Sequence, residues 1–139
     1  MSDGTTRAFK DVEIGEDLPE TRPDVSLAVV RGFAEGAHML AGRFTDHAKA
    51  RGEGLPGAIV PGIMSQGILA AMIHRWAPGS KIRKIDTVFR APVLVDSHPV
   101  CRGVVTDTDP QARTVQIDLT LENEAGETRV MGTAIVCLD

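Results

Sequence analysis

The stretch PGIMSQGILAAMIHRW, residues 61–76, decides the fold. Pro61-Gly62 precedes its apolar run and Pro78-Gly79 follows it, so the pattern predicts a helix of roughly 15 residues between them. Apolar side chains cover most of the circumference of this helix: Ile63, Met64, Ile68, Leu69, Ala71, Met72, Ile73 and Trp76. A helix that is apolar nearly all round is buried on nearly all sides. We therefore expect this helix at the centre of the molecule.

Downstream of residue 80 the sequence has the character of β-strands. The segment TVQIDLTL, residues 114–121, alternates strictly between polar and apolar residues, which is typical of a strand with one buried face. Three further strand-like segments span residues 85–95, 99–107 and 128–139. The turn sequences DTDPQA, residues 107–112, and NEAGE, residues 123–127, predict hairpins between neighbouring strands. These segments together predict an antiparallel sheet.

Upstream of the helix, the sequence predicts smaller elements. Residues 1–24 are polar, and we expect a mobile start followed by a short strand or edge segment around Phe9–Ile14. Residues 25–40 predict an amphipathic helix, and Asp46 opens a short helix, DHAKARG, that ends at Gly52 or Gly54. The stripe of the first helix consists of Val29, Val30, Phe33, Ala37 and Leu40.

One apolar helix followed by a meander of strands favours a helix that is wrapped by a curved sheet. We therefore predict an α+β protein with the hotdog fold, in which an antiparallel β-sheet wraps around one central α-helix. The 139 residues fit a single domain, residues 1–139.

Composition excludes several classes of partner. The net charge of −4 and the pI of about 5.5 argue against nucleic acid and against an anionic membrane surface. The longest apolar stretch, residues 55–73, contains Pro56 and Pro61 and is too broken to span a bilayer. The N-terminus has no apolar signal region, so we expect a cytoplasmic protein. Cys101 and Cys137 are accordingly predicted to be reduced, buried thiols.

Several segments resemble the MaoC-like family of hotdog proteins. They are the opening RAFKDVEIGEDLPE at 7–20, the region 46–64 with Ala50, Gly54 and Ala58-Ile59, the strand VFRAPVLV at 88–95, and residues 107–127. The chain is similar to the (R)-specific enoyl-thioester hydratases and 3-hydroxyacyl-thioester dehydratases of that family. The resemblance implies a hotdog fold, dimerisation through the sheets, and binding of an acyl-CoA or acyl-carrier-protein thioester.

The same resemblance exposes a departure at the expected catalytic positions. The family has an Asp, a His five positions later, and a second Asp two positions after the His. Asp46 matches the second Asp, which puts the His at Phe44 and the first Asp at Met39. The family's His-Gly-Met at the helix entrance reads Pro61-Gly62-Ile63. Three polar positions are apolar here, so we expect a subunit with lost or altered chemistry, paired in a heteromer with a complete hotdog protomer.

Two enzyme interpretations stay open beside this one. His38, Asp46 or His47 could serve as displaced acid or base groups for hydration, dehydration or isomerisation. Each also has a structural interpretation, since Asp46 is a good helix N-cap, His47 a solvated first-turn residue, and His38 a residue near a helix end. A hotdog thioesterase is the other possibility, with Glu53 as the nearby carboxylate that would activate water.

The start of the central helix is the more secure binding feature. Pro61 and Gly62 leave the first N–H groups of the helix unpaired at its positive end, where a thioester carbonyl would be polarised. Ser65 and Gln66 add hydrogen bonds there or simply face neighbouring backbone. We expect substrate contacts from these residues: Pro61, Gly62, Ile63, Ser65, Gln66, Phe44 and Met39.

Charge and histidine spacing give weaker clues to ligands. A basic cluster could meet the phosphates of a carrier or form a solvated rim: Lys81, Arg83, Lys84 and Arg90. The spacings of the histidines fit no metal site, and we expect no metal and no cofactor. Met64 and Met72 would suit an adaptable acyl tunnel or ordinary core packing. The acyl group, the choice between homodimer and heteromer, and the pathway (fatty acid, polyketide or steroid metabolism) stay open.

Overall fold

The computed structural model describes residues 7–139 of the chain, and the part of the predicted mobile start that covers residues 1–6 lies outside them. A short 3₁₀ helix at Phe9–Asp11 precedes four α-helices: α1 Leu27–Gly36, α2 Gly42–Thr45, α3 His47–Gly52 and α4 Gly62–Trp76. Four strands follow: β1 Lys81–Phe89, β2 Val100–Asp109, β3 Thr114–Glu122 and β4 Thr128–Cys137.

The four strands form one antiparallel sheet in the order β1-β4-β3-β2. Both predicted hairpins are confirmed, because β2 pairs with β3 and β3 pairs with β4. The alternation along β3 is also confirmed, since its apolar residues are all buried: Val115, Ile117, Leu119 and Leu121. These side chains form the inner face of the sheet and pack in the same core as the buried face of α4.

Helix α4 begins and ends where the sequence predicts, and its burial is less complete than predicted. Its buried residues include Leu69, Met72 and Ile73, which belong to the core. The opposite side is open, and Ile63 is 63% exposed. The exposed stripe contains Ile63, Gly67, Ala71 and His74. The prediction of burial on nearly all sides is therefore wrong for the single chain, because a four-stranded sheet covers one side of a helix.

Two predicted strands are displaced. The strand predicted at residues 85–95 is β1, which starts earlier and ends at Phe89. Pro92 cannot donate to a sheet, and the chain beyond it makes only an isolated bridge between Leu94 and Ile59. The edge segment predicted at Phe9–Ile14 is wrong in place: this part begins as a 3₁₀ turn, and residues 15–21 instead run beside β2.

The first helix is confirmed as α1, but its buried face differs from the predicted stripe. Val30 and Ala34 are buried, whereas Val29 is exposed. The helix ends at Gly36, so Ala37 and Leu40 lie beyond it and cannot extend its stripe. The predicted short helix is α3, and Asp46 is its N-cap.

The two cysteines are both free, and only one is fully buried. Cys101 lies in the core, where burial raises the pKa of its thiol to about 11. Cys137 is half-buried at the end of β4. Among the described residues, no helix is both long and apolar enough to cross a bilayer.

The end of α4 is tied to the N-terminal segment by an ion-pair cluster. The Trp76 indole N–H donates to Glu16 Oε2 at 3.0 Å. The Arg7 guanidinium pairs with Glu16 and lies 5.2 Å from the centre of the Trp76 ring. Burial acts to raise the pKa of Glu16, but the hydrogen bonds from Trp76 and Arg7 outweigh it and hold this pKa below its usual value. The cluster fixes one end of α4 and leaves its other end to form the site.

Candidate functional site

A cavity of about 420 Å³ opens at the N-terminal end of α4. It lies where α2, the first turn of α4 and the segment after β1 meet. Apolar residues form most of its lining: Phe44, Ile59, Val60, Phe89, Ala91, Pro92, Val93 and Val130. Its remaining lining residues are Gly62, Ser65 and two arginines, Arg43 and Arg90. A volume of this size is in the range of small-molecule sites.

The start of α4 has no side-chain cap. Pro61 occupies the N-cap position and makes no capping hydrogen bond, while its carbonyl accepts from the N–H groups of Met64 and Ser65 at 3.0 and 3.1 Å. Within residues 7–139 the N–H groups of Gly62 and Ile63 therefore have no acceptor. These groups carry the partial positive charge of the helix end. Gly62 lines the cavity, so that charge borders the cavity.

Ser65 brings a hydroxyl to the same place. The residue is only 1% exposed and lines the cavity, so its hydroxyl is placed to meet a ligand that enters there. Gln66 points elsewhere, because its amide donates to Thr87 Oγ1 at 3.1 Å. Ile63 is exposed and does not line the cavity.

The charged groups of the lining are both cationic. Arg43 pairs with Glu53 at 2.8 Å, and both side chains are a little under half exposed. Arg90 donates to the weak acceptor Met131 Sδ at 3.4 Å. Among the described residues, no Asp, Glu, His or Cys lines this cavity. The cavity can therefore bind an oxygen or an anion, but its own side chains include no general base.

His47 is bonded through both ring nitrogens away from the cavity. Its Nδ1 accepts the Ala58 N–H at 3.0 Å, so the proton is on Nε2, which donates to Asp96 Oδ2 at 2.8 Å. Asp96 Oδ1 accepts the Leu27 N–H at 2.9 Å. The hydrogen bond from His47 is the main reason that the pKa of Asp96 lies below its usual value. This set of bonds joins α3, the segment before α4 and the start of α1.

The other sequence candidates are also placed outside the cavity lining. Asp46 accepts the Lys49 N–H at 3.0 Å as the cap of α3, and this bond lowers the pKa of its carboxyl. His38 is exposed in the turn after α1, with φ of 57°. Met39 is half-buried, and its N–H donates to the Ala34 carbonyl at 2.8 Å. Of the seven predicted substrate contacts, the structure brings Phe44, Gly62 and Ser65 to the cavity, with Pro61 as the adjoining cap.

Sequence reasoning missed most of the lining, including Arg43 and Phe89, and grouped Arg90 wrongly. Arg43 precedes Phe44 directly, and Phe89 precedes Arg90, so both were adjacent to residues already singled out. The predicted basic cluster is divided, because Lys81 begins β1 and Arg90 follows its last residue. Within residues 7–139, no group of three His, Cys, Asp or Glu side chains could hold a metal ion.

Comparisons with known proteins identify solved structures with a similar fold but no related sequence. No family model matches the chain, and no curated protein matches it. The (R)-hydratase from A. caviae involved in PHA biosynthesis is similar in structure, with a TM-score of 0.88 and 20% identity over 94% of this chain and 99% of that chain. The ChsH1-ChsH2 complex from Mycobacterium tuberculosis gives a TM-score of 0.84 and 18% identity over 91% and 98%.

A third structure, a MaoC-like dehydratase, has a TM-score of 0.88 and 24% identity over 96% of this chain and 43% of that chain. Sequence identities this low leave the shared backbone arrangement as the finding. The chain therefore has the hotdog fold that these hydratase and dehydratase structures share, with α4 as the helix that packs against the sheet.

Proposed function

We propose that this chain is an acyl-thioester-binding protein of the MaoC-like enoyl hydratase and 3-hydroxyacyl dehydratase family that has lost the catalytic Asp/His pair. One observation carries the proposal: the cavity at the start of α4 offers a positive helix end and no acid or base among its described lining residues. We place the function in a single cytoplasmic domain, residues 1–139.

The proposal that the chain binds a thioester rests on the polar groups of the cavity at the start of α4. A thioester carbonyl at the start of α4 would accept from the free N–H group of Gly62 and from the Ser65 hydroxyl. The helix dipole adds to this attraction for the carbonyl oxygen. The apolar lining around Phe44, Val60 and Val130 would hold the acyl chain.

The proposal that the chain does not catalyse hydration rests on the groups that this reaction requires. Adding water to an enoyl thioester needs one group that takes a proton from water and a proton donor for the α-carbon. An Arg side chain stays protonated and cannot act as the base. Phe44 stands where the resemblance expects the His, and its ring has no proton to exchange. A thioester bound here would be held without being hydrated.

We infer further that the chain works as one subunit of a hotdog heteromer, with a homodimer as the alternative. Large apolar side chains are exposed around the cavity: Ile63, Val88, Phe89 and Met131. Val88 and Met131 are paired across β1 and β4, and β1 is an edge strand. Exposed apolar groups beside an open sheet edge favour a protein partner. One of the similar structures is itself a complex, ChsH1-ChsH2.

The test is an assay of the purified chain alone. We expect crotonyl-CoA to raise the thermal unfolding midpoint, which reports binding, while the absorbance of the enoyl thioester stays constant. Robust hydration by the isolated chain would contradict the proposal. In that case the variants His38→Ala, Asp46→Asn and His47→Ala identify which displaced group acts. Release of free CoA that is abolished by Glu53→Gln would favour the thioesterase alternative.

A further inference from the structure

We infer that the acyl group held in this cavity is a short one that ends in a carboxylate, recognised by Arg43 and Arg90. This inference rests on the proposed function, since it names the substrate class of the same cavity. Both guanidinium side chains line a cavity whose other described residues are neutral. The chain as a whole carries a net charge of −4, so a lining whose two charged residues are both arginines reverses the sign of that charge locally.

Neither arginine is held by a strong partner. Among residues 7–139 no carboxylate lies within ion-pair distance of Arg90, whose side chain contacts Met131 Sδ. Arg43 pairs with Glu53 in an exposed position, where ion pairs are weak. A guanidinium has five N–H donors, so Arg43 keeps donors for a ligand while it contacts Glu53. Both groups are therefore available to a bound carboxylate.

The cavity has a buried end and an exposed end. Ser65 is almost completely buried at the first turn of α4, while Arg43 and Arg90 are exposed. A thioester carbonyl at the buried Ser65 end would direct the far end of its acyl group toward the exposed arginines of the same lining, where a terminal carboxylate could meet them. The carrier phosphates lie many bonds further along the pantetheine arm, outside a cavity of about 420 Å³. Arg–carboxylate pairs are among the stronger and more directional hydrogen-bonded contacts in proteins.

The experiment compares two acyl groups of equal length on two carriers. Succinyl and butyryl thioesters differ in one terminal carboxylate, and each is measured as the CoA thioester and as the phosphate-free N-acetylcysteamine thioester. We expect the chain to bind the succinyl form at least about tenfold more tightly on both carriers, as determined by calorimetry. Arg43→Met and Arg90→Met should each reduce that preference to less than about threefold.

Matched variants separate charge from folding. Arg75→Met removes the same charge at the far end of α4 and should leave the preference unchanged. Arg43→Lys and Arg90→Lys keep the charge without the planar fork and should retain part of the preference.

Equal binding of succinyl and butyryl forms overturns the inference and leaves the proposed function intact. A preference for CoA over the phosphate-free carrier that the arginine variants abolish also overturns it, because the arginines would then serve the carrier phosphates. If no thioester binds at all, the proposed function fails as well.

Discussion

The ring of Phe89 lies directly against Gly62, so that a Cβ built on Gly62 would come within 3.2 Å of the ring. Phe89 is the last residue of β1 and Gly62 the first of α4, and both line the cavity. The absence of a side chain at Gly62 thus sets how closely the edge of the sheet approaches the positive end of the helix. The width of the cavity at this point depends on the same contact.

Gly62→Ala should weaken thioester binding several-fold with little change in stability. The added methyl must displace the Phe89 ring by a few tenths of an ångström, and a half-exposed ring can move. Alanine also favours the helix by up to about 1 kcal/mol over glycine, which offsets the contact. Calorimetry with crotonyl-CoA and urea unfolding provide the two measurements.

Gly67→Ala is the matched control for this prediction. It lies on the same helix, and a Cβ there would meet nothing within 4 Å. We expect this variant to bind as the unchanged chain does, and Gly62→Ala combined with Phe89→Ala to regain binding. Equal affinities for Gly62→Ala and Gly67→Ala would show that the start of α4 is not where the thioester lies.

Sequence reasoning predicted the elements that depend on local pattern. Helix α4 and the β3 strand have strong periodicity, and proline-glycine pairs or turn residues bound them, so their positions follow from the chain itself. The exposure of Ile63 could not be predicted in this way. An apolar residue gives the same sequence pattern on the covered side of a helix as on the open side. Only the extent of the sheet decides which apolar residues of α4 are buried.

The site residues that could be predicted are mainly those near the start of α4, and the other site residues could not be predicted. Gly62 and Ser65 follow from the helix start, and Phe44 from the resemblance. Arg43 and Arg90 lie on separate segments that only tertiary packing brings to one cavity, and an arginine in a polar stretch ordinarily indicates solvent. His47 seemed chemically suited to acid/base work, but its partners, Ala58 and Asp96, are distant in sequence.

His47→Ala should destabilise the fold while leaving the affinity for crotonyl-CoA within about twofold. The substitution removes the acceptor of the buried Ala58 N–H, and an unsatisfied buried N–H costs about 1–3 kcal/mol. Chemical denaturation measures the loss. His74→Ala, an exposed position on α4, should change the free energy of unfolding by less than about 0.5 kcal/mol. If the His47→Ala chain folds but does not bind crotonyl-CoA, the prediction is wrong and His47 belongs to the binding site.

Asp46 should make the stability of the chain depend on pH in the acid range. Its hydrogen bond to the Lys49 N–H holds the pKa of the carboxyl below its value in the unfolded chain, about 3.9. Because the pKa is lower in the folded state, the stabilisation is complete above the unfolded value and is lost as the pH falls through the folded one. Asn at this position still caps α3 but does not titrate.

The measurement for this prediction is the difference in melting temperature between the unchanged chain and Asp46→Asn from pH 7 to pH 2.5. We expect the difference to be constant near neutrality and to shrink below about pH 4. Thioester binding at pH 7 should be the same in both proteins, because Asp46 does not line the cavity. A difference that does not vary with pH would exclude the Asp46 carboxylate as a charged cap.

Ser65→Ala should separate binding from stability most clearly. Ser65 is almost completely buried in the first turn of α4, the substitution only shortens its side chain, and alanine is the better helix former. The free energy of unfolding should therefore stay equal or rise by up to about 0.5 kcal/mol. Loss of a hydrogen bond to the ligand carbonyl, worth about 0.5–1.5 kcal/mol, should weaken crotonyl-CoA binding by roughly two- to tenfold. Ser80→Ala is the matched control, because Ser80 is likewise a buried serine but lies beyond the other end of α4. If both variants bind equally well, the Ser65 hydroxyl does not contact the thioester; if only Ser65→Ala loses affinity, it does.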